Sequence, residues 1–279
     1  MRTWHLRNEI WQLPASGGIM GILNVTPDSF SDGGQHNTIE SALAHAELMV
    51  REGAHIIDVG GESTRPGAEP ISECEETRRV LPVISALRNQ HPTLRISIDT
   101  RHAEVAAAAL HAGADIVNDI GGLTSEPMRR LCAATPCGII LMHMKGTPAT
   151  MQQSPCYQDV VAEVRAFFNQ QVTLAVKAGI NPERICLDPG IGFGKTTEHN
   201  LTLIAHLQEL RINNLPIMMA LSRKRFISEL LGRNAPPKTD STPTVALSLL
   251  AAERGADLHR VHDVAPLHHA LTLRHALKQ

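Results

Sequence analysis

The chain has 279 residues, a formal net charge of -2 and 43% hydrophobic residues, yet only 3% aromatics. The near-balanced charge excludes nucleic acid or a membrane surface as the main partner. The length suits one (β/α)8 barrel of about 250 residues better than two domains, and an interior of Val, Ile, Leu and Ala explains the aromatic shortage. Cys74, Cys132, Cys137, Cys156 and Cys186 are odd in number and never form a C-x-x-C pair. That pattern fits reduced thiols in the cytoplasm rather than disulfides or structural zinc. Neither an apolar leader segment nor a bilayer-length apolar run is visible, so a soluble cytoplasmic domain is expected.

Residues 1–18 form an N-terminal cap segment, in which Trp4, Leu6, Ile10 and Trp11 make a short strand or plug over one end of the core. The first barrel strand is expected from Ile19 to Leu23, ending at Asn24, and a long polar loop follows to Gly34. Asn37 and Glu40 suggest a capping box, with Leu43, Ala46, Met49 and Val50 as the apolar stripe. The second strand, His55 to Val59, runs into the loop Gly60-Gly61-Glu62-Ser63-Thr64-Arg65-Pro66-Gly67. Two glycines, two hydroxyls and an arginine suit the approach of an anion. Ser72 and Glu75 cap the next helix, and Leu94 to Ile98 is the third strand, ending at Asp99-Thr100.

Gly113-Ala114-Asp115-Ile116-Val117-Asn118-Asp119 reads as a helix stop, a buried strand and a polar end. Gly53-Ala54-His55 and Gly255-Ala256-Asp257 open the same phrase again, so one βα unit recurs. Strand five is Gly138 to Met142, ending at His143. The helix from Gln158 to Lys177 carries Val161, Val164, Phe168 and Val172 inward. Strand six is Arg184 to Leu187, strand seven Ile217 to Leu221 and strand eight Leu258 to Val261. Pro243 occupies an early helical position, and no linker or composition break divides the chain.

Eight strand ends thus present Asn24, Asp58, Asp99, Asn118, His143, Asp188, Ser222 with Lys224, and Arg260 with His262. In a barrel these surround one mouth. A single Asp at a strand end is more often a helix cap, but capping does not explain the convergence of all eight. Asp99, Asp188 and Asn118 can read a planar heterocycle rich in N–H donors. Arg65, Lys224, Arg260 and His262 suit phosphate or carboxylate, so the expected ligand is donor-rich at one end and anionic at the other. The loop Gly190-Ile191-Gly192-Phe193-Gly194-Lys195 lacks P-loop spacing, and a tight βα turn accounts for it at least as well as a phosphate cradle. Lys145 and Lys195 read as ordinary solvated lysines, and His268 with His269 as helix surface.

Longer stretches carry a family resemblance. Ile19 to Gly34, with Asn24-Val25-Thr26-Pro27-Asp28-Ser29-Phe30-Ser31-Asp32 at its centre, resembles the opening motif of dihydropteroate synthases. Asp58 to Gly67 resembles their second signature. Ser97 to Thr100, Val117 to Ile120, Leu141 to Met144, Leu187 to Lys195, Ser222 to Lys224 and Arg260 to Asp263 match further segments. The resemblance implies a single-domain TIM barrel and a cytoplasmic transferase of folate biosynthesis, of the class that sulfonamides target. It would join hydroxymethyl-dihydropterin diphosphate to 4-aminobenzoate with the help of Mg2+, as a homodimer.

Carried over by position, Asp99, Asn118, Asp188 and Lys224 would hold the pterin, with Met142 and Phe193 lining its pocket. Asn24 and Asp32 would meet Mg2+ and diphosphate, and Arg260 and His262 the diphosphate. Thr64, Arg65 and Pro66 would bring the second loop over both substrates. Asp99, Lys224, Arg65 and Asp32 are the residues expected to carry the chemistry. Two alternatives share the pterin pocket: a methyltetrahydrofolate–corrinoid methyltransferase domain, and a non-catalytic pterin-binding paralogue.

Overall fold

The computed structural model describes residues 2–26, 35–63, 70–148, 150–233 and 240–278, without the side chains of 35–38. A two-stranded antiparallel hairpin, β1 (Thr3–His5) and β2 (Ile10–Gln12), precedes eight parallel strands. These are β3 (Gly18–Asn24), β4 (Ile56–Gly60), β5 (Arg95–Asp99), β6 (Ile116–Asp119), β7 (Gly138–Met142), β8 (Ile185–Asp188), β9 (Met218–Met219) and β10 (Leu258–Val261). Strands β3 to β8 pair in chain order, and β10 lies between β3 and β9. A single parallel bridge, Leu187 with Ile217, joins β8 to the start of β9 and completes the ring. The barrel expected from the sequence is therefore present, with its seventh strand reduced to two residues.

Nine helices are described: α1 (Gln35–Arg51), α2 (Glu73–Gln90), α3 (Ala103–Ala112), α4 (Glu126–Ala134), α5 (Val160–Lys177), α6 (Thr197–Ala205), α7 (Arg225–Leu230), α8 (Thr242–Glu253) and α9 (Val264–Ala276). None is long and apolar enough to cross a membrane. Helix α1 begins at Gln35, so Asn37 is not its cap as the sequence pattern implied. The Ser72 side chain does cap α2 by accepting from Glu75 N, but the Glu75 carboxylate turns to Arg78 and Arg79 instead of closing a capping box.

The repeated Gly-Ala phrase has a physical reason. Gly53, Gly113 and Gly255 all adopt the left-handed conformation, at φ of 105°, 116° and 95°. The next N–H reaches back to close the helix: Ala54 to Met49 O, Ala114 to Ala109 O and Ala256 to Ala251 O. The third residue then joins the preceding strand twice. Its N–H donates to Ile19 O, Ile96 O or Ile217 O. Its side chain accepts the N–H of that same isoleucine, through His55 Nδ1, Asp115 Oδ2 or Asp257 Oδ2.

Alternation along the strands builds the interior in layers. The lowest layer comprises Met20, Ile56, Ile116, Ile140, Cys186, Met218 and Leu258, sealed from below by Trp4, Leu6, Trp11 and Leu13. The N-terminal segment is thus the plug that its apolar residues implied, although Ile10 faces solvent. Two residues further along each strand stand Ile22, Asp58, Asn118, Met142, Asp188, Ala220 and Arg260. The polar layer follows directly from the apolar one beneath it.

Candidate active site

Arg260 organises this polar layer. Its Nε donates to Asp58 Oδ2 at 2.6 Å and its Nη2 to Asp99 Oδ2 at 2.6 Å. Asn118 Nδ2 donates to the same Asp58 oxygen at 3.1 Å. Asp58 is fully buried, and its Oδ1, Asp99 Oδ1 and Ser97 Oγ are buried without a hydrogen-bond partner among the described residues. Of these, Asp99 Oδ1 at the end of β5 is the acceptor placed to receive a ligand N–H group. The sequence reading placed Arg260 with anions; here its guanidinium bridges two carboxylates.

Asp188 closes the other side. Its Oδ1 accepts from Gly190 N at 2.7 Å, which fixes the carboxylate at the top of β8. Gly190 has φ of 65°, and a Cβ there would overlap His143 O, so the turn admits only glycine. Lys224 places its ammonium 4.2 Å from the centre of the Phe193 ring. Burial pushes the Asp99 carboxyl up to about 7, with Asp58 and Asp188 adding to the rise and Arg260 and Lys224 opposing it. Burial likewise raises Asp188 and brings Lys224 down to about 8. Three carboxylates in a site of low dielectric, each with acceptor oxygens to offer, favour a ligand that brings N–H donors.

Lys195 departs from the sequence expectation. Rather than being solvated, it is 3% exposed, and its ammonium lies 3.0 Å from Gly190 O and Phe193 O and 2.9 Å from His143 Nδ1. The ammonium clamps the 190–195 turn to the end of β7 and so places Phe193 beneath Lys224. The turn reading of that glycine loop therefore stands, with Phe193 N bonded to Gly190 O. Lys145 is exposed, as expected, and pairs with Glu163.

Ser222 Oγ accepts from His262 N at 3.2 Å and lies 2.9 Å from His262 Nδ1. These two contacts hold the imidazole ring beside the seventh strand's loop. Met142 is buried on the inward face of β7, and Asn24 ends β3. Asp32, Thr64, Arg65 and Pro66 lie outside the described residues. Two contributions escaped the sequence reading, the anchoring by Asp58 and the clamp by Lys195. Asp58 could have been found from its place two residues above the buried Ile56. No signal in the sequence marks Lys195 as buried.

A family model described as pterin binding enzyme matches residues 20–262. A dihydropteroate synthase from Synechocystis is 52% identical over 247 residues, covering 88% of this chain and 85% of the relative. The chain belongs to the dihydropteroate synthase family of pterin-binding enzymes. Solved family members agree in fold. Dihydropteroate synthase of Xanthomonas albilineans with 4-aminobenzoic acid aligns with a TM-score of 0.90 and 45% identity, covering 99% of this chain and 98% of that one. The Yersinia pestis enzyme with a sulfonamide drug aligns with a TM-score of 0.91 and 43% identity, covering 99% of both chains. Membership makes this chain a transferase of folate biosynthesis and sets aside the corrinoid methyltransferase and the non-catalytic alternative.

Proposed function

We propose that this chain condenses 6-hydroxymethyl-7,8-dihydropterin diphosphate with 4-aminobenzoate, releasing 7,8-dihydropteroate and diphosphate, through the residues around Arg260. The observation that carries this assignment is the inward set of acceptors, Asp99, Asn118 and Asp188, facing the Lys224 ammonium over Phe193. A pterin ring offers adjacent N–H donors for a carboxylate and a carbonyl for an ammonium. Asp188 takes the donors, Lys224 the carbonyl, and Met142 and Phe193 the faces of the ring.

As the methylene C–O bond breaks, the electron pair leaves with diphosphate and positive charge spreads into the ring. Asp99 and Asp188 stabilise that charge, while Arg260 and His262 meet the departing anion. The amine of 4-aminobenzoate then forms the C–N bond and loses a proton. Its nucleophilic lone pair is already present, so positioning rather than covalent catalysis is required. Thr64, Arg65 and Pro66 supply the second loop's contacts to both substrates.

Mg2+ fits the donor chemistry. Asn24 Oδ1 and Asp99 Oδ2 each lie 3.7 Å from the point where a Cβ on Gly60 would stand, so hard oxygen donors border the mouth beside Gly60. Mg2+ usually needs only one or two protein ligands beside phosphate oxygens. Asn24 and Asp32 would hold it, and it would supply charge neutralisation to the diphosphate. We further infer a cytoplasmic homodimer. The free cysteines support the compartment, and the exposed apolar side chains Leu201, Leu230, Leu231 and Leu250 on and beside α6, α7 and α8 support a second copy as partner.

Release of diphosphate from the pterin substrate, measured with and without 4-aminobenzoate, tests the reaction. Release dependent on both substrates and lost in excess chelator is expected. Release indifferent to 4-aminobenzoate contradicts the assignment.

A further inference from the structure

We infer that Asp58 is a positioning residue of the pterin site: its carboxylate sets which way the Asn118 amide and the Arg260 guanidinium face, and so fixes the hydrogen-bond pattern offered to the ring.

Asp58 sits on β4, one layer above the apolar floor formed by Ile56 and its neighbours. Its sheet neighbours are β3 and β5, yet its side chain bonds to neither. It reaches across the interior to strands two steps away in each direction, Asn118 on β6 and Arg260 on β10. Only an inward side chain can make both contacts, and both converge on the single oxygen Oδ2.

The Asp58 Oδ2 that accepts from the Arg260 guanidinium offers only acceptor capacity to its second neighbour. The Asn118 edge against it must therefore be the NH2 group, because a flipped amide would set oxygen against oxygen. The amide oxygen and the second amide hydrogen are thereby turned to the ligand. For Arg260 the consequence is parallel. Nε is committed to Asp58 and one Nη2 hydrogen to Asp99, which holds the guanidinium plane between the two acids. Nη1 and the remaining Nη2 hydrogen are left for substrate. Without Asp58 the guanidinium would be tethered at one point and would compete with the ligand for Asp99.

The test uses Asp58→Asn together with the exchange Asp58→Asn/Asn118→Asp. The exchange keeps volume, formal charge and a hydrogen bond between the two positions, but reverses its polarity. Steady-state kinetics with both substrates, calorimetric titration of a pterin lacking the diphosphate, and thermal melting are measured on each purified variant. Asp58→Asn is expected to weaken pterin binding and raise the pterin KM on the order of tenfold or more. The KM for 4-aminobenzoate should stay within about twofold of the parent, since no Asp58 contact is directed to that substrate. The exchange should melt close to the parent enzyme and still bind pterin weakly. Restoration of pterin affinity by the exchange would show that Asp58 serves packing and overturn the proposal. An Asp58→Asn enzyme with parental pterin affinity, or equal losses for both substrates, overturns it as well. Should neither variant fold, Asp58 is a folding residue and the proposal fails.

Discussion

At the scale of single residues, the site is governed by which groups hold their protons. Asp99 must be ionised to accept ligand N–H groups, and Lys224 must be charged to donate. Burial moves the two toward each other, Asp99 up to about 7 and Lys224 down to about 8. Below the first value the carboxylate takes up a proton and loses acceptor capacity; above the second the ammonium loses a donor and its charge. We expect kcat/KM for the pterin substrate to follow a bell with a narrow top between these limbs, whose apparent values belong to the whole cluster. Lys224→Arg should lower the maximum and abolish the alkaline limb, since a guanidinium stays charged. A flat pH profile from about 6 to about 9 would falsify this account.

At the scale of elements, the Gly-Ala repeats show how a loop can fix a strand. Asp115 is the clearest case. Its Oδ2 accepts Ile96 N at 3.0 Å and pairs with Arg88, whose guanidinium also binds Gly113 O. One side chain therefore ties α2, the end of α3 and the start of β5. We expect Asp115→Ala to cost about 2–3 kcal/mol in urea unfolding, because it strands a backbone N–H and an arginine together. Asp115→Asn should cost less, since an amide oxygen can still accept the N–H. A loss below about 0.5 kcal/mol for the alanine variant would show that the tie is idle.

The repeat was legible in the sequence because helix stops demand glycine and buried strands demand β-branched residues; both constraints are local. The strand ends that carry Asp99, Asn118 and Asp188 were legible for the same reason, whereas Lys224 stands five residues past β9, at the start of α7. What was hidden depends on contacts far along the chain. The shortening of β9 reflects how it meets β8, at one bridge. The burial of Lys195 follows from carbonyls that the 190–195 turn and His143 supply together. Asp58 contacts residues 60 and 202 positions away, which no local pattern records.

At the scale of the whole molecule, the barrel separates stability from chemistry along its axis. Trp4 is fully buried in the plug, and its Nε1 donates to Arg184 O at 2.8 Å. Arg184 in turn binds Cys132 O in the last turn of α4 and Thr135 O just past it, so the hairpin is fastened to the barrel wall as well as packed beneath it. Between Trp4 and the carboxylates lies the layer of Met20, Ile56, Ile116 and Ile140. A cavity opened below that layer should be felt as lost packing, while the layer itself keeps water from Asp58 and Arg260. We therefore expect Trp4→Ala to destabilise the fold by about 3–5 kcal/mol. Pterin affinity, measured well below the denaturation midpoint, should remain at the parental value. Urea unfolding and calorimetric titration on the same preparation decide the matter. A fall in affinity that tracks the fall in stability would mean that the apolar layer does not insulate the site, and that plug and pocket form one cooperative unit.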